Sequence, residues 1–406
     1  MTARQPADVV IVGTGATGYT AAKVLRAEGF TGSITQIGSE QEATYRRPAV
    51  SKELLLGTKS VDQVRLGAAI EGVDVRTGVT AVAITDSAVL LDDGDSVPYD
   101  ALLLATGSRA RQLDLPGTAH VFTLRTSADV APLHADILRT GSLLVIGGGL
   151  IGCEAAAAAA ARSLGAEVTV LEAASAPLSR IAPAEISQMY RDLHADNGIT
   201  MHTDVTVTSL DKQNDGTLRA VAQDGRSWSA GTVLVSAGSV PNVELAAEHG
   251  LDIRSGVLVD AEMRTSTPNI YAAGDVAEVP NTILGGTYRS EHWNGAVDQA
   301  TRAARSILGL DVGNLDVPWG WSTQHGVNLQ FAGWTGVDDE YVVVRGTIAD
   351  RRFTACALRD EKLVGAIGVG FPKDIRQIRS LIASGDPIDR DLLGEDWLDQ
   401  PHAVVR

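Results

Sequence analysis

Two glycine-rich loops are the features of this sequence whose residue types and spacing point most directly to chemistry. Residues 13–18 read GTGATG and residues 147–152 read GGGLIG, so both follow the pattern G-x-G-x-x-G. In this pattern the first glycine permits a tight turn, the second lets a pyrophosphate approach the backbone, and the third lets a helix pack on a strand. The free N–H groups at the helix N-terminus then hold the phosphates. The glycines concerned are Gly13, Gly15, Gly18, Gly147, Gly149 and Gly152.

An acidic residue downstream of each loop tests whether the loop binds a dinucleotide. Glu172 ends an apolar run after the second loop, where a carboxylate would accept both ribose hydroxyls and repel a 2′-phosphate. This position favours NAD over NADP, although a solvated glutamate at a strand end would look the same. After the first loop the acid is displaced into Gly38-Ser39-Glu40, and Ser39 or Glu40 could still reach a ribose.

The elements that must position these loops occur twice along the chain. Residues 8–29 and 142–165 each contain an apolar run, a glycine loop and an alanine-rich helical pattern, and a second apolar run follows each of them. This is a strand, turn, helix and strand unit. A single copy would also fit an ordinary turn, but two copies in the same context favour two dinucleotide sites.

Later apolar runs return the chain to each predicted sheet. Residues 99–107 read YDALLLATG, residues 231–238 read GTVLVSAG, and residues 269–275 read NIYAAGD. The last run ends in Gly274-Asp275, which can aim a carboxylate and backbone N–H groups at the ribityl and phosphate region of a flavin. A helix N-cap at Asp275 is the alternative interpretation.

This order predicts an α/β fold with two Rossmann-like domains, the second inserted in the first, and a C-terminal α+β domain. Residues 1–112 and 241–316 would form an FAD-binding domain, and residues 113–240 an NAD-binding domain. Residues 317–406 would form the third domain, with strands over 328–332, 341–345, 352–358 and 363–369, a turn over 336–339 and a helix over 372–384.

Composition narrows the classes of function. The chain has 406 residues and a net charge of −16, which disfavours nucleic acid and anionic membranes as partners. It contains two cysteines, Cys153 and Cys356, too few for a disulfide framework, and a reducing cytoplasm fits. We expect no signal peptide before the first strand and no membrane span. Either a monomer or a homodimer is compatible with the sequence.

Two further segments, together with the glycine loops, resemble those of a known protein family. Residues 46–57 read RRPAVSKELLLG and residues 317–333 read VPWGWSTQHGVNLQFAG. With the paired glycine loops, these segments resemble the NADH:ferredoxin reductases that serve dioxygenases and P450 monooxygenases. That family includes putidaredoxin reductase and rubredoxin reductase, within the glutathione-reductase superfamily. The resemblance implies FAD and NAD(H) as cofactors, a ferredoxin as the direct partner, and a P450 or ring-hydroxylating oxygenase as the indirect one.

The resemblance also assigns roles to individual residues. Lys52 and Trp321 would lie beside the flavin and take part in catalysis, and Trp293 would contact the isoalloxazine through its backbone. Where the family has Trp-Ser-Asp-Gln, this chain has Thr323 in place of the aspartate, which leaves the role of that position in doubt. The remaining predicted cofactor-binding residues are Ala81, Thr106, Arg125, Gly274 and Asp275.

Disulfide reductases of the superfamily carry C-x-x-x-x-C beside the flavin, but residues 46–57 contain no cysteine. We therefore expect a carrier of single electrons, with both cysteines in the core. Two other hypotheses remain open: a flavin-dependent NADH oxidase or peroxidase, and a slow redox-sensing flavoprotein that resembles apoptosis-inducing factor. For an acidic ferredoxin, the candidate docking groups are Arg302 with Arg305, and residues 373, 376 and 379 on one helical face; ordinary solvated helix surface is the alternative.

Overall fold

The computed structural model of the chain describes residues 5–42, 44–335, 339–394 and 397–398. The chain divides into two compact units. The first unit is drawn from residues 1–47, 61–109 and 240–318, and the second from residues 48–60, 110–239 and 319–406. The domain boundaries given above remain predictions.

Within the described residues the α-helices are α1 (Ala16–Ala27), α2 (Ser127–Thr140), α3 (Leu150–Ala160), α4 (Ala184–Asp196), α5 (Glu244–Glu248), α6 (Trp293–Ile307) and α7 (Pro372–Ser384). The strands up to residue 171 are β1 (Asp8–Val12), β2 (Ser33–Gly38), β3 (Val73–Thr77), β4 (Ala81–Ile84), β5 (Ala88–Leu91), β6 (Ser96–Pro98), β7 (Ala101–Leu104), β8 (Ser108–Ala110), β9 (Ser142–Ile146) and β10 (Glu167–Leu171). The later strands are β11 (Ile199–His202), β12 (Val207–Lys212), β13 (Leu218–Ala222), β14 (Ser227–Ala230), β15 (Thr232–Val235), β16 (Ser239–Pro241), β17 (Val257–Leu258), β18 (Ile270–Ala272), β19 (Ala277–Pro280), β20 (Thr287–Tyr288), β21 (Trp319–Gln324), β22 (Val327–Gly333), β23 (Glu340–Thr347), β24 (Arg352–Arg359) and β25 (Lys362–Val369).

The main sheet of the first unit has the strand order β18-β7-β1-β2-β3, and each adjacent pair is parallel. Its central strands β1 and β7 are almost continuously apolar and buried, as expected of parallel strands covered on both faces. Helices α1 and α6 pack on each other, and their apolar faces join the same core. This arrangement presents the loop after β1 at the carboxyl edge of the sheet, where α/β proteins bind ligands.

The second unit repeats this design in the strand order β11-β10-β9-β15, again with parallel neighbours. Helix α3 follows the second glycine loop and packs on β9 and β10. Residues 155–159 of this helix are all alanine and all buried, because small side chains let the helix lie close to the sheet. Two copies of the predicted unit are therefore present, and the predicted fold class is confirmed.

The C-terminal region of the second unit is a five-stranded antiparallel sheet in the order β21-β22-β25-β24-β23. Helix α7 packs on this sheet and spans the range predicted from the sequence. The four predicted strands are present within one to two residues at each end, and β21 precedes them. In the predicted turn, residues 336–338 lie outside the described part of the chain.

Candidate functional site

The first glycine loop joins β1 to α1, and its three glycines differ in what surrounds them. Gly13 has a φ of +130°, and a Cβ added there would lie 2.1 Å from the carbonyl oxygen of Ala105. A Cβ on Gly18 would lie 1.9 Å from the carbonyl oxygen of Gly13. Beside Gly15, in contrast, the nearest atom is a guanidinium nitrogen of Arg47, 4.0 Å away. The loop is thus packed at two glycines and open at the one that a phosphate would approach.

The second glycine loop shows the same division. Gly147 has a φ of +111°, and a Cβ on Gly152 would lie 2.0 Å from the carbonyl oxygen of Gly147. Beside Gly149, no atom of the described residues lies within 4 Å of an added Cβ. The backbone at Gly149 is therefore open where a second dinucleotide could approach.

Glu172 lies beside this second loop. One carboxylate oxygen accepts a hydrogen bond of 2.5 Å from the backbone N–H of Gly148, and the other accepts one of 2.7 Å from the N–H of Ala174. These bonds hold the carboxylate against the middle of the loop. Each oxygen keeps a further lone pair, so the carboxylate can still accept from ribose hydroxyls.

Glu40 is placed differently beside the first loop. Its carboxylate forms an ion pair of 2.5 Å with Arg47 and accepts a hydrogen bond of 2.6 Å from the hydroxyl of Tyr45. Burial opposes the charge of Arg47, but Tyr45 and Glu40 outweigh burial and raise the pKa of the guanidinium above its usual value. Ser39 is exposed. The charge of Glu40 is therefore compensated by a cation, whereas the charge of Glu172 is held by backbone amides.

Asp275 follows β18 in the first unit and is buried. Its carboxylate accepts a hydrogen bond of 2.9 Å from the hydroxyl of Ser108. The chain continues from Asp275 into β19 rather than into a helix, so the interpretation of Asp275 as a helix N-cap is wrong. The preceding Gly274 has a φ of +81°, which makes the sharp turn out of β18 possible.

Thr106 and Ala81 also lie in the first unit. The hydroxyl of Thr106 donates to the carbonyl of Asn242 at 2.8 Å, and the amide of Asn242 donates back to the carbonyl of Thr106 at 2.8 Å. This exchange fixes the chain just after β7. Ala81 begins β4 and packs at the edge of the first core. A cofactor-binding role for either residue stays a prediction.

The segment at the start of α6 carries buried polar atoms. Trp293 is the first residue of this helix. Among the described residues, no hydrogen-bond partner is present for the buried hydroxyl of Ser290 or the buried side-chain nitrogen of Asn294. Because buried polar groups in proteins are normally hydrogen-bonded, these two atoms are the kind that a bound cofactor would satisfy. These two atoms support the predicted flavin contact at this segment, which stays a prediction.

Lys52 lies in the second unit and is mostly buried. Its ammonium group forms an ion pair of 2.6 Å with Glu154 and donates a hydrogen bond of 3.2 Å to the carbonyl of Pro48. Glu154 projects from α3, and its side chain is only 3% exposed. The same carboxylate accepts hydrogen bonds from Ser51 at 2.5 Å and from Ser322 at 2.7 Å. Lys52 is therefore a mostly buried, paired lysine and not an ordinary surface lysine at the start of a helix.

Trp321 lies on β21, where side chains alternate between two environments. Trp319, Trp321 and Thr323 are half-buried on one face, and the rings of the two tryptophans are 6.1 Å apart. Ser322 and Gln324 are fully buried on the other face, which meets Glu154. The aspartate of the family segment is thus replaced by Thr323 on the aromatic face, away from the buried network.

Arg125 precedes α2 in the second unit. The backbone N–H groups of Arg125 and Thr126 donate to the carboxylate of Asp129 at 2.9 and 2.7 Å. Thr126 and Asp129 form the capping box of α2, which fixes the backbone that carries Arg125. Its role beside a flavin stays a prediction.

Both cysteines are free thiols and fully buried. Burial raises the pKa of each thiol well above its ordinary value, so neither is a ready nucleophile. This placement agrees with the core role predicted from the sequence. Within the described residues, no helix has both the length and the apolar character needed to cross a bilayer. The same residues contain no cluster of three or more His, Cys, Asp and Glu suited to hold a metal ion.

The expectation that Arg302 supplies a docking charge is wrong. Arg302 is buried, and its guanidinium donates to the carbonyls of Ala261, Gly313 and Asn314, which ties down the loop after α6. The charge of Arg305 is compensated by an ion pair with Glu28, the residue that follows α1. These two arginines stabilise the first unit rather than forming a basic surface.

The second group of candidate docking residues, on α7, carries positive charge at the surface. Lys373 and Arg376 are exposed on α7, and the guanidinium of Arg379 lies over the ring of Trp319 at 5.5 Å. Asp374 is the one acid on α7, and it is buried against Thr354 and Arg345. This helix therefore presents a basic stripe on an acidic protein.

Sequence reasoning missed several residues with polar contacts in these regions: Tyr45, Arg47, Glu154, Ser322 and Gln324. It also missed His194, which hydrogen-bonds to Gln324, and His325, which hydrogen-bonds to His194. The alternation of β21 is the signal that could have found Ser322 and Gln324. Glu154 could have been noticed as a lone acid in a run of alanines.

The chain matches two known family models. Residues 7–300 match the family described as pyridine nucleotide-disulphide oxidoreductase, and residues 319–399 match the one described as reductase C-terminal. The chain belongs to the pyridine nucleotide-disulphide oxidoreductases. Members of this family use FAD and a nicotinamide dinucleotide, so the cofactors are FAD and NAD(H).

Similar proteins match this oxidoreductase along nearly its whole length. Rhodocoxin reductase from Rhodococcus erythropolis is 35% identical, over 98% of this chain and 94% of its own. The ferredoxin–NAD(+) reductase component of the anthranilate 1,2-dioxygenase system from Burkholderia cepacia is 38% identical, over 95% and 96% of the two chains. Among solved structures, the covalent putidaredoxin reductase–putidaredoxin complex gives a TM-score of 0.91 at 30% identity, over 98% of both chains.

Proposed function

We propose that this protein is an FAD-dependent NADH:ferredoxin oxidoreductase that supplies electrons, one at a time, to a ferredoxin serving a dioxygenase or a P450. The observation that carries this function is the length of the match. It covers nearly all of this chain and of reductases named for ferredoxin systems, including the C-terminal domain. The reaction converts one NADH and two oxidised ferredoxins into NAD⁺, a proton and two reduced ferredoxins.

The residues present fit the two cofactors. The open backbone at Gly15, with Arg47 beside it, would hold the FAD pyrophosphate, and the buried polar atoms near Trp293 would gain partners. Bound FAD supplies the step from a two-electron donor to a one-electron acceptor. The open backbone at Gly149 and the carboxylate of Glu172 would hold NADH by its pyrophosphate and ribose.

The predicted site residues of the second unit would act by position and charge. Lys52 would present a fixed cation to the flavin, because Glu154 and the carbonyl of Pro48 hold its ammonium group in place. Arg125 and Trp321 would flank the same region. Hydride transfer needs no general base, so orientation and local field are what the protein contributes.

The state of the cysteines separates this function from the disulfide reductases and peroxidases of the family. Those chemistries need a reactive thiol, whereas Cys153 and Cys356 are buried, lie in different elements and have a raised pKa. We propose a cytoplasmic location, since both thiols are free.

The basic stripe of α7 is our proposed docking surface for an acidic ferredoxin. Opposite charges steer such encounters and affect the association rate most, so the effect should weaken with salt. Reversing two charges, Lys373→Glu with Arg376→Glu, should raise the apparent KM for the ferredoxin about tenfold at low salt. Reversal of Arg139, which is exposed on α2 and paired with Asp136, is the matched control. An unchanged KM in the α7 variant would rule this surface out.

Stopped-flow reduction followed by turnover tests the function itself. The flavin should bleach with NADH much faster than with NADPH, and a [2Fe–2S] ferredoxin should then be reduced over many turnovers. Rapid reduction by NADH, with oxygen as the one effective acceptor, would favour a flavin oxidase instead. A long-lived reduced complex that turns over slowly with every ferredoxin would favour a redox sensor.

A further inference from the structure

Glu154 is the inner end of a continuous chain of hydrogen bonds in the second unit. Its carboxylate accepts from the hydroxyl of Ser322 at 2.7 Å, and the amide nitrogen of Gln324 lies 3.0 Å from that hydroxyl. The amide oxygen of Gln324 lies 2.9 Å from Nε2 of His194, and Nδ1 of His194 lies 3.2 Å from Nε2 of His325. We call these five residues, Glu154, Ser322, Gln324, His194 and His325, the Glu154 chain.

The carboxylate of Glu154 dictates the direction of every bond in this chain. An ionised carboxylate only accepts, so Ser322 must donate its single proton to it and can then only accept from Gln324. The amide oxygen of Gln324 is thereby turned toward His194, whose Nε2 must carry a proton. Nδ1 of His194 is then an acceptor, and Nε2 of His325 must donate to it.

This direction requires that His194 is neutral, and its surroundings agree. His194 is fully buried on α4, and burial, together with the nearby His325, lowers its pKa to about 4 even though Gln324 opposes this shift. The rings of the two histidines meet edge to face, with centroids 4.9 Å apart. At neutral pH the chain thus has one set of donors that all point toward Glu154.

The outer end of the chain lies in a tight turn. His325 and Gly326 form the two-residue turn between β21 and β22, with φ values of +50° and +79°. Glycine suits such a turn, and asparagine, aspartate and histidine are the other residues most often found with positive φ. The ring of His325 lies against His194 at this turn.

We propose that Ser322, Gln324 and His194 are positioning residues that act through Glu154 to hold the ammonium group of Lys52 in place. The Glu154 chain fixes the orientation of its side chains and does not conduct protons, because the amide of Gln324 interrupts any proton path. His325 closes the outer end, where its Nε2 donates to Nδ1 of His194 as long as His194 is protonated at Nε2. This inference rests on the proposed function only where it concerns the flavin; the coupling along the chain stands by itself.

The tautomer of His194 reports that coupling directly. In flavin-loaded protein labelled with ¹⁵N-histidine, long-range ¹H–¹⁵N spectra should show His194 protonated at Nε2 alone, and the loss of one signal in His194→Gln assigns it. Ser322→Ala releases the direction imposed by Glu154, so a mixture of the two tautomers should appear. Thr323→Ala, on the opposite face of β21, is the control and should change nothing. A pure Nε2 tautomer in Ser322→Ala overturns the coupling.

The rate of flavin reduction tests the positioning role. His194→Phe removes both bonds of the ring and should lower the limiting rate of reduction by NADH about tenfold with an unchanged NADH Kd. His194→Gln keeps a donor toward Gln324 and should recover most of that rate. If the tautomers mix in Ser322→Ala and His194→Phe reduces as fast as the parent protein, the positioning role is wrong. If the tautomers mix and even the parent protein is not reduced by NADH, the proposed function fails and the coupling stands.

Discussion

The two glycine loops have nearly the same backbone and different electrostatic surroundings. In both, the first and third glycines pack against backbone and the second faces open space. The acid after the first loop, Glu40, is compensated by Arg47, whereas the acid after the second, Glu172, is held by two amide N–H groups. We propose that both loops bind a pyrophosphate and that the neighbouring charges decide which dinucleotide each loop takes.

We expect the largest effect on cofactor binding from a side chain that fills the open side of each loop. Gly15 and Gly149 have ordinary negative φ values, so valine is tolerated by the backbone and occupies the space of a phosphate. Gly15→Val should weaken FAD retention by about tenfold or more, measured as the flavin-to-protein ratio after dialysis. Gly149→Val should keep its flavin and lose NADH binding to the same degree.

Thermal unfolding of both variants provides the control, since a folded protein that loses one cofactor shows a local effect. The assignment of the loops would be reversed if Gly149→Val lost flavin while Gly15→Val retained it.

A second test addresses the acid of the second loop. Glu172→Gln keeps the size of the side chain, loses one of its two hydrogen bonds from backbone N–H groups, and removes the charge that repels a 2′-phosphate. We expect the ratio of kcat/KM for NADPH to that for NADH to rise about tenfold, equivalent to ~1.4 kcal/mol. Glu167→Gln, at the exposed start of the same strand, should leave this ratio unchanged.

Glu40→Gln should also leave the coenzyme ratio as it is. A change there as large as in Glu172→Gln would contradict the division of roles between the two loops.

The cation of the first loop gives a smaller effect. Arg47→Met keeps much of the side-chain volume and removes the guanidinium near Gly15. Because a cation beside a pyrophosphate contributes electrostatic attraction, we expect FAD to bind about fivefold more weakly and with less dependence on salt. Arg65→Met, an exposed arginine paired with Asp62 in the same unit, is the control for general loss of charge.

We expect the two units to lose stability at different pH values as the solution is acidified. Burial lowers the pKa of His194 to about 4 from 6.5, so the unfolded state binds more protons below pH 6.5 and the second unit loses stability as the pH falls toward 4. In the first unit, hydrogen bonds from Thr287, Ser255 and Arg254 outweigh burial and lower the pKa of Glu278 to about 2 from 4.5. The contribution of Glu278 to the stability of the first unit is therefore fully present above pH 4.5 and is lost as the pH falls from 4.5 to 2.

Hydrogen exchange at pH 5 should therefore show the second unit opening before the first. His202 and His325, whose pKa values burial also lowers, lie in the second unit and act in the same direction. His194→Gln should reduce the difference between the units, and equal protection of both units at pH 5 in the parent protein would contradict this origin.

What the sequence predicts well is local. A glycine loop between a strand and a helix is encoded within about 30 residues, so the fold class, both loops and helix α7 were predicted correctly. The first and third glycines of each loop pack tightly, as the sequence predicts, and the binding role of the second glycine stays a prediction.

The sequence does not predict contacts between residues far apart along the chain, or which individual charged side chains are buried. Ser322 meets Glu154 across 168 residues, so no local pattern joins them. Arg302 looked like a surface charge on α6, but three carbonyl groups of nearby loops capture its guanidinium. The alternative interpretation of Asp275 as a helix N-cap is wrong because the next element is the strand β19, which pairs with β17 and β20.

The alternation of β21 has a consequence for the pairing register of the C-terminal sheet. A slip of one residue against β22 would exchange the two faces, turning Trp321 into the core and Ser322 and Gln324 out of it. The tight turn at His325-Gly326 fixes that register. An insertion of a single residue in this turn would therefore remove the aromatic face and the buried polar face together, although it deletes no residue of either.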